Sequence, residues 1–403
     1  MTKPDHIPIP RYRASSGPAV LAHGFRPFFL LASLWAAAAL ALSFPMIQGR
    51  IELPTAFGAV SWHYHELLFG FVAAAMTGFL LTAIPNWTGR MPLQGLPLLG
   101  LVILWLAGRA AVAVSGLIGE WPAALIDLSF LFTVAAVTLR EIVSGRNWRN
   151  LPVVLAITLF LTANALTHAE AAGLFEMEGL ARRFAIGVVI MMIALIGGRV
   201  IPSFTRNWLA KRGDQQLPKA FGRFDRLTLV ATLIALVVWA VAPDNILSGG
   251  LNAVAAALNL YRLARWQGQA TFSEPLVWVL HVAYLWIPIG LGLLALSYWW
   301  DAVSSTDALH ALTAGAAGTM TLAVMSRATL GHTARALRAG VGLSAAYVLV
   351  TLAALVRIGS SLSGEFYLPA LTVAAVAWIT AFVLFLCICG PMLVTRRPDR
   401  GEE

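Results

Sequence analysis

Residues 275–298 read PLVWVLHVAYLWIPIGLGLLALSY, a stretch without one Asp, Glu, Lys or Arg. Wound as a helix it rises about 36 Å, enough to cross the roughly 30 Å hydrocarbon core of a bilayer. Lipid offers no partner to a backbone N–H or C=O, so such a run is stable there only as a helix. Working outward, similar runs fill the chain. Spans are expected near 27–45, 62–85, 96–117, 121–143, 151–171, 181–201, 226–243, 247–265, 275–298, 307–328, 341–357 and 367–390. Breakers separate them, among them Asn86-Trp87-Thr88-Gly89, Gly145-Arg146-Asn147 and Pro243-Asp244-Asn245.

The composition agrees. Of 403 residues 59% are hydrophobic and 12% charged, with a mean hydropathy of +0.77, against about 25% charged in soluble domains. No long polar stretch leaves room for a soluble catalytic domain, so any chemistry sits among the helices. The expected architecture is all-α: a single twelve-span domain over 27–390, with tails 1–26 and 391–403. The first 25 residues hold Pro, Arg and His without an apolar run, so no cleavable signal peptide is expected.

The net charge of +9 is an orientation signal rather than a nucleic-acid footprint, because the basic residues lie between the spans and form no dense patch. With both termini cytoplasmic, 23 of the 28 Lys and Arg fall on the inner side; Arg50, Arg109, Arg182, Arg183 and Arg357 are the remainder. One span omitted or added would invert the sign downstream, so an even count and cytoplasmic termini are expected.

Polar residues inside the spans mark the candidate sites. His63 and His65 open span 2, His168 ends span 5 and His310 opens span 10, all at the outer level. Neutral imidazole is the usual ligand of transition metals and of b-type haem. His63 and His65 point about 200° apart on a helix, so at most one of them faces a given site. Arg109, about 12 Å below the outer end of span 3, and Asp127 on the next span are placed to pair. Asn164 and His168 share one face at i, i+4. His23, His281 and His332 form a second group on the inner side, with Arg26, Asn86, Arg199 and Arg327 at inner helix ends. The bland alternatives are interfacial histidines meeting water, a structural ion pair, and arginines explained by topology. Cys387 and Cys389 are read as small residues filling a helix face rather than a copper pair.

A faint repeat links spans 2, 6 and 10: His65, Gly70, Met76; Arg182, Gly187, Met191; His310, Gly315, Met320. Its period of four spans suggests three four-helix units around a pseudo-threefold axis. The layout is analogous to the main subunit of haem–copper oxidases, although span 6 carries no histidine to match that family's copper site.

Several of these segments carry a more specific likeness. His23-Gly24-Phe25-Arg26-Pro27-Phe28-Phe29, Trp62-His63-Tyr64-His65-Glu66, the run Gly78 to Gly89, Trp105 to Arg109, Gly198-Arg199-Val200-Ile201-Pro202 and the run Val324 to Thr333 together resemble the NnrS family. The resemblance runs from about residue 20 to 390. It implies a multi-pass bacterial inner-membrane protein with haem b and copper, made with the denitrification and nitric-oxide response and protecting against nitrosative stress. Nitric oxide is then the implied ligand, and Arg109 or the inner arginines are partners for haem propionates. Topology ranks the metal ligands: His63 or His65, His168 and His310 first, then His23, His281 and His332. Glu66 stands beside His65 in the matched motif. Two alternatives compete: a permease with Arg109 and Asp127 lining its path, and a carrier delivering copper or haem. Neither the electron donor nor turnover can be read from the residues, and the small residues along the spans permit a homodimer.

Overall fold

The computed structural model describes residues 17–174 and 179–396, so His6 and the ends of both expected tails lie outside the described residues. Among the described residues every regular element is helical. Twelve long helices follow in order: α1 Phe25–Ile47, α2 Ala59–Thr88, α3 Leu96–Ala113, α4 Glu120–Ser144, α5 Leu151–Ala171 and α6 Leu180–Lys211, then α7 Arg223–Val241, α8 Ile246–Ala264, α9 Pro275–Trp299, α10 Ser305–His332, α11 Val341–Gly359 and α12 Tyr367–Val394. Eleven are long and apolar enough to cross a membrane. The exception is α8, whose Ser248, Asn252, Asn259 and Arg262 dilute its apolar character. All four are buried on one face of α8, which packs between α7 and α9 as a span would.

Helix ends follow local chemistry. Asn245 and Ser304 accept the N–H groups of Leu247 and Thr306 at the starts of α8 and α10. Gly89, at φ 71°, closes α2 in the left-handed conformation that favours glycine, its N–H bonded to the Pro85 carbonyl. Pro45, Pro85, Pro202, Pro288 and Pro391 lie inside helices, which neighbouring spans make tolerable in a membrane bundle.

The packing follows the expected repeat. Adjacent hairpins α3–α4, α7–α8 and α11–α12 form matching pairs, while α4 meets α5, α8 meets α9, and α12 returns to α1, closing a ring of three four-helix units. At the centre α10 touches both α2 and α6. Each of these three inner helices contains a π-helical segment: Glu66–Val72, Ile193–Gly197 and Ala311–Gly318. Such widenings of the backbone gather at functional sites. They also correct the register. Gly70, Gly197 and Gly315 occupy the fifth place of the three segments, so Gly197 rather than Gly187 matches the others, and Met192 rather than Arg182 stands where His65 and His310 stand. The reason is steric in two units, because a Cβ on Gly70 would lie 2.5 Å from Trp35 and one on Gly315 2.5 Å from Trp286.

Gly70→Ala is therefore expected to destabilise the protein by about 1–3 kcal/mol through overpacking. Gly250→Ala, with nothing within 4 Å of its Cβ, should leave the melting temperature in detergent close to wild type. Equal melting of the two variants would contradict the packing described.

Candidate metal centre

Odd-numbered helices run toward the end of the bundle away from both termini, here the distal end, and even-numbered helices run back. The expected Arg109–Asp127 pair forms there, and it is one link in a larger network. Arg109 on α3 donates from Nη1 to Glu66 Oε1 at 2.6 Å and from Nη2 to Asp127 Oδ1. Glu66 opens the π segment of α2 and its other oxygen accepts from Trp35 Nε1 of α1 at 2.6 Å. Asn164 on α5 donates to Asp127 Oδ2 at 2.7 Å. His65, Glu66, Arg109, Asp127, Asn164 and His168 are all at most 4% exposed.

The two histidines decide what this network can do. His65 places Nδ1 3.0 Å from Glu66 Oε1, and Nε2 3.0 Å from Asn164 Oδ1 and 3.4 Å from Asp127 Oδ2. His168 places Nδ1 2.6 Å from Glu120 Oε1 and Nε2 3.1 Å from Asp127 Oδ2. Every ring nitrogen thus faces an oxygen that can only accept, while a neutral imidazole has a single N–H to give. Each ring therefore has a nitrogen beyond its one N–H that a metal ion at Nε2 would satisfy. The charge balance agrees: Glu66, Glu120 and Asp127 against Arg109 leave two negative charges in excess. In so buried a place charges must be paired. One divalent cation, or two protons, neutralises the site.

The geometry favours a common ion. One atom each from His65, Asp127 and His168 lie within 4.8 Å of one another, so the three donors must draw together to reach the roughly 2 Å distance of a bound metal. The Glu66–His65 and Glu120–His168 bonds hold Nδ1–H and turn Nε2 inward, the carboxylate–histidine arrangement that orients metal-bound imidazoles. Phe57, from the loop before α2, packs on both rings at centroid distances of 5.0 and 5.4 Å, and Phe69 packs on His65 at 5.2 Å.

The other predicted residues lie elsewhere. His63 turns away from His65, as the 200° spacing requires, to within 2.8 Å of Ser43 Oγ. His310, expected at the first-ranked site, is outside the cluster: its Nδ1 bonds to the Thr306 carbonyl at 2.8 Å, and it lies within electrostatic reach of His63, Arg182 and Arg357. Two of the three inner histidines share one aromatic neighbour. His23 and His332 pack on the Phe25 ring, whereas His281 meets Thr205 Oγ1 at 2.8 Å. Arg26 caps the end of α12 through the Met392, Leu393 and Thr395 carbonyls. Arg199 and Arg327 stack over Phe221 and Phe204, and Asn86 bonds back to Thr82. Cys387 is exposed and Cys389 buried, on opposite sides of α12.

Sequence reasoning passed over Glu120, which stands seven residues before Asp127 and hence on the same face, and Trp35 with it. It also missed a second buried network at the opposite end. Arg262 bonds to Asp225 Oδ1, the Ala194 carbonyl of the α6 π segment and Tyr284 Oη, each at 2.9 Å, and Tyr284 donates to Asn259. The signal was the polar series Asn252, Asn259, Arg262 in one apolar run.

The family model of the NnrS protein matches residues 19–397, nearly the whole chain. The chain belongs to the NnrS family. No curated protein matches it.

The donor sets bear differently on the two cofactors that the NnrS resemblance implies. Two imidazoles and a carboxylate suit copper(II), iron(II) or zinc, so His65, His168 and Asp127 fit a copper ion. Neither of two cavities of about 650 and 830 Å³ has a histidine among its lining residues, so neither of them supplies an imidazole ligand to a haem.

Proposed function

We propose that this NnrS-family protein is a copper-binding protein of the bacterial inner membrane that handles nitric oxide, with the metal held by His65, His168 and Asp127. The observation that carries the reading is the pair of carboxylate-anchored imidazoles turned onto one carboxylate oxygen, in a site short of two positive charges. Copper(II) is the tightest-binding divalent first-row ion for such donors, and the resemblance supplies nitric oxide as the ligand.

Bound copper would supply a redox-active centre for a small uncharged gas. The chain supplies the rest. Glu66 and Glu120 fix the imidazole protons at Nδ1, Arg109 holds the Asp127 carboxylate in place, and Phe57 and Phe69 shield the donors from water. A small apolar molecule partitions into lipid and reaches such a site laterally. The permease reading has less support, because Arg109 and Asp127 are locked to each other and line neither cavity.

The test is nitric-oxide removal by membranes carrying wild-type protein or His168→Ala at matched expression, followed with an electrode. Removal by wild type at least about tenfold faster is expected, on the scale of losing a metal-binding side chain. Equal rates in the two membranes would overturn the reading.

A further inference from the structure

Arg182 is one of the few cations at the distal end. It stands in the first turn of α6, where a positive side chain opposes the helix dipole. Its Nε is buried without a hydrogen-bond partner. Among the described residues it joins no ion pair, and its guanidinium carbon lies 5.9 Å from the Tyr64 ring centroid. Among the described residues neither helix stability nor an ion pair explains it, and the positive-inside pattern would place it at the other end of the bundle.

Beside it lies the cavity of about 830 Å³ between α6, α7, α9 and α10. Arg182 and Arg183 line one side, while Leu180, Trp239, Leu294 and Leu309 supply an apolar wall. Asp244 is the one carboxylate in the lining. A cavity with a cationic edge and an apolar wall matches a molecule with the same two ends. We infer that it binds an amphipathic organic anion, with a phosphate or carboxylate head on Arg182 and an alkyl body along the wall. Arginine recognises both heads through paired N–H donors. A membrane phospholipid and a free alkyl anion offer the same chemistry, and the test separates them. The inference is independent of the metal centre, whose residues do not line this cavity.

The probe is dodecyl phosphate, added to the full chain in a neutral detergent, with dodecanol and inorganic phosphate as half-molecules. Dodecyl phosphate is expected to raise the melting temperature saturably, and each half-molecule to do far less. Arg182→Gln should weaken the apparent affinity roughly 10- to 100-fold, the scale of a lost charge-assisted hydrogen bond, and Arg182→Lys should retain much of it. Ser305→Glu guards against misfolding, because Ser305 is exposed in the first turn of α10 and also lines the cavity. A carboxylate suits that helix position yet repels an anion, so the same weakening is expected in a well-folded protein. Native mass spectrometry from phosphatidylglycerol nanodiscs then reads the source. A phospholipid retained by wild type and lost in Ser305→Glu identifies the membrane lipid; dodecyl phosphate binding without retained lipid identifies a free amphiphile. Equal stabilisation by dodecanol, or affinity unchanged in both Arg182→Gln and Ser305→Glu, overturns the inference.

Discussion

Arg109→Met is expected to lower the stability of the protein by about 3–5 kcal/mol, the cost of breaking a buried ion pair by removing one partner. The guanidinium is 4% exposed and serves two carboxylates, Glu66 and Asp127, that are buried with it. Methionine fills similar volume, so the loss is electrostatic rather than a cavity. The excess negative charge of the site rises by one, and neither carboxylate can turn to water. Glu66→Gln in the Arg109→Met background removes one stranded charge and should recover part of the loss. Unfolding of the three variants in detergent, followed by tryptophan fluorescence, reads this directly. A wild-type melting profile for Arg109→Met would mean that the two carboxylates are not held charged by the arginine.

The second large effect is on metal content. His168→Ala and Asp127→Asn each remove a donor from a set of three, and are expected to weaken copper binding by at least about 100-fold, at the upper end of what losing a supporting hydrogen bond alone costs. Glu120→Gln leaves all three donors but loosens the His168 ring, and should cost roughly 10- to 100-fold. His310→Ala and His281→Ala, away from the cluster, should leave the content of purified protein unchanged. Metal analysis after dialysis against a calibrated chelator separates these classes. Retention of copper by both His168→Ala and Asp127→Asn would remove the ion from this site.

Much of this fold was legible because the bilayer imposes one answer on an apolar run. The predicted spans and the observed helices agree to within a few residues at most ends; the clearest excess is α6, which continues to Lys211, past the predicted end at 201. The Arg109–Asp127 pair and the shared face of Asn164 and His168 were legible because they depend only on helix periodicity and on α3–α4 adjacency. The choice of His65 over His63 was not, since the spacing says only that they diverge. What selects His65 is tertiary: Asn164 arrives from α5 and Phe57 from a loop. Glu120 escaped notice because an acid at the start of a helix already has an ordinary role there. The π segments were illegible too, and they shift the α6 register from Gly187 to Gly197. Of the inner arginines, Arg26 caps the end of α12 through three carbonyls, a contact that helix periodicity does not reveal.

Electron paramagnetic resonance of the purified protein loaded with copper(II) tests the central claim most directly. The spectrum is predicted to show hyperfine coupling to two imidazole nitrogens, falling to one in His168→Ala and one in His65→Ala. A copper signal without nitrogen coupling, or one that neither substitution alters, would contradict a metal held by His65, His168 and Asp127.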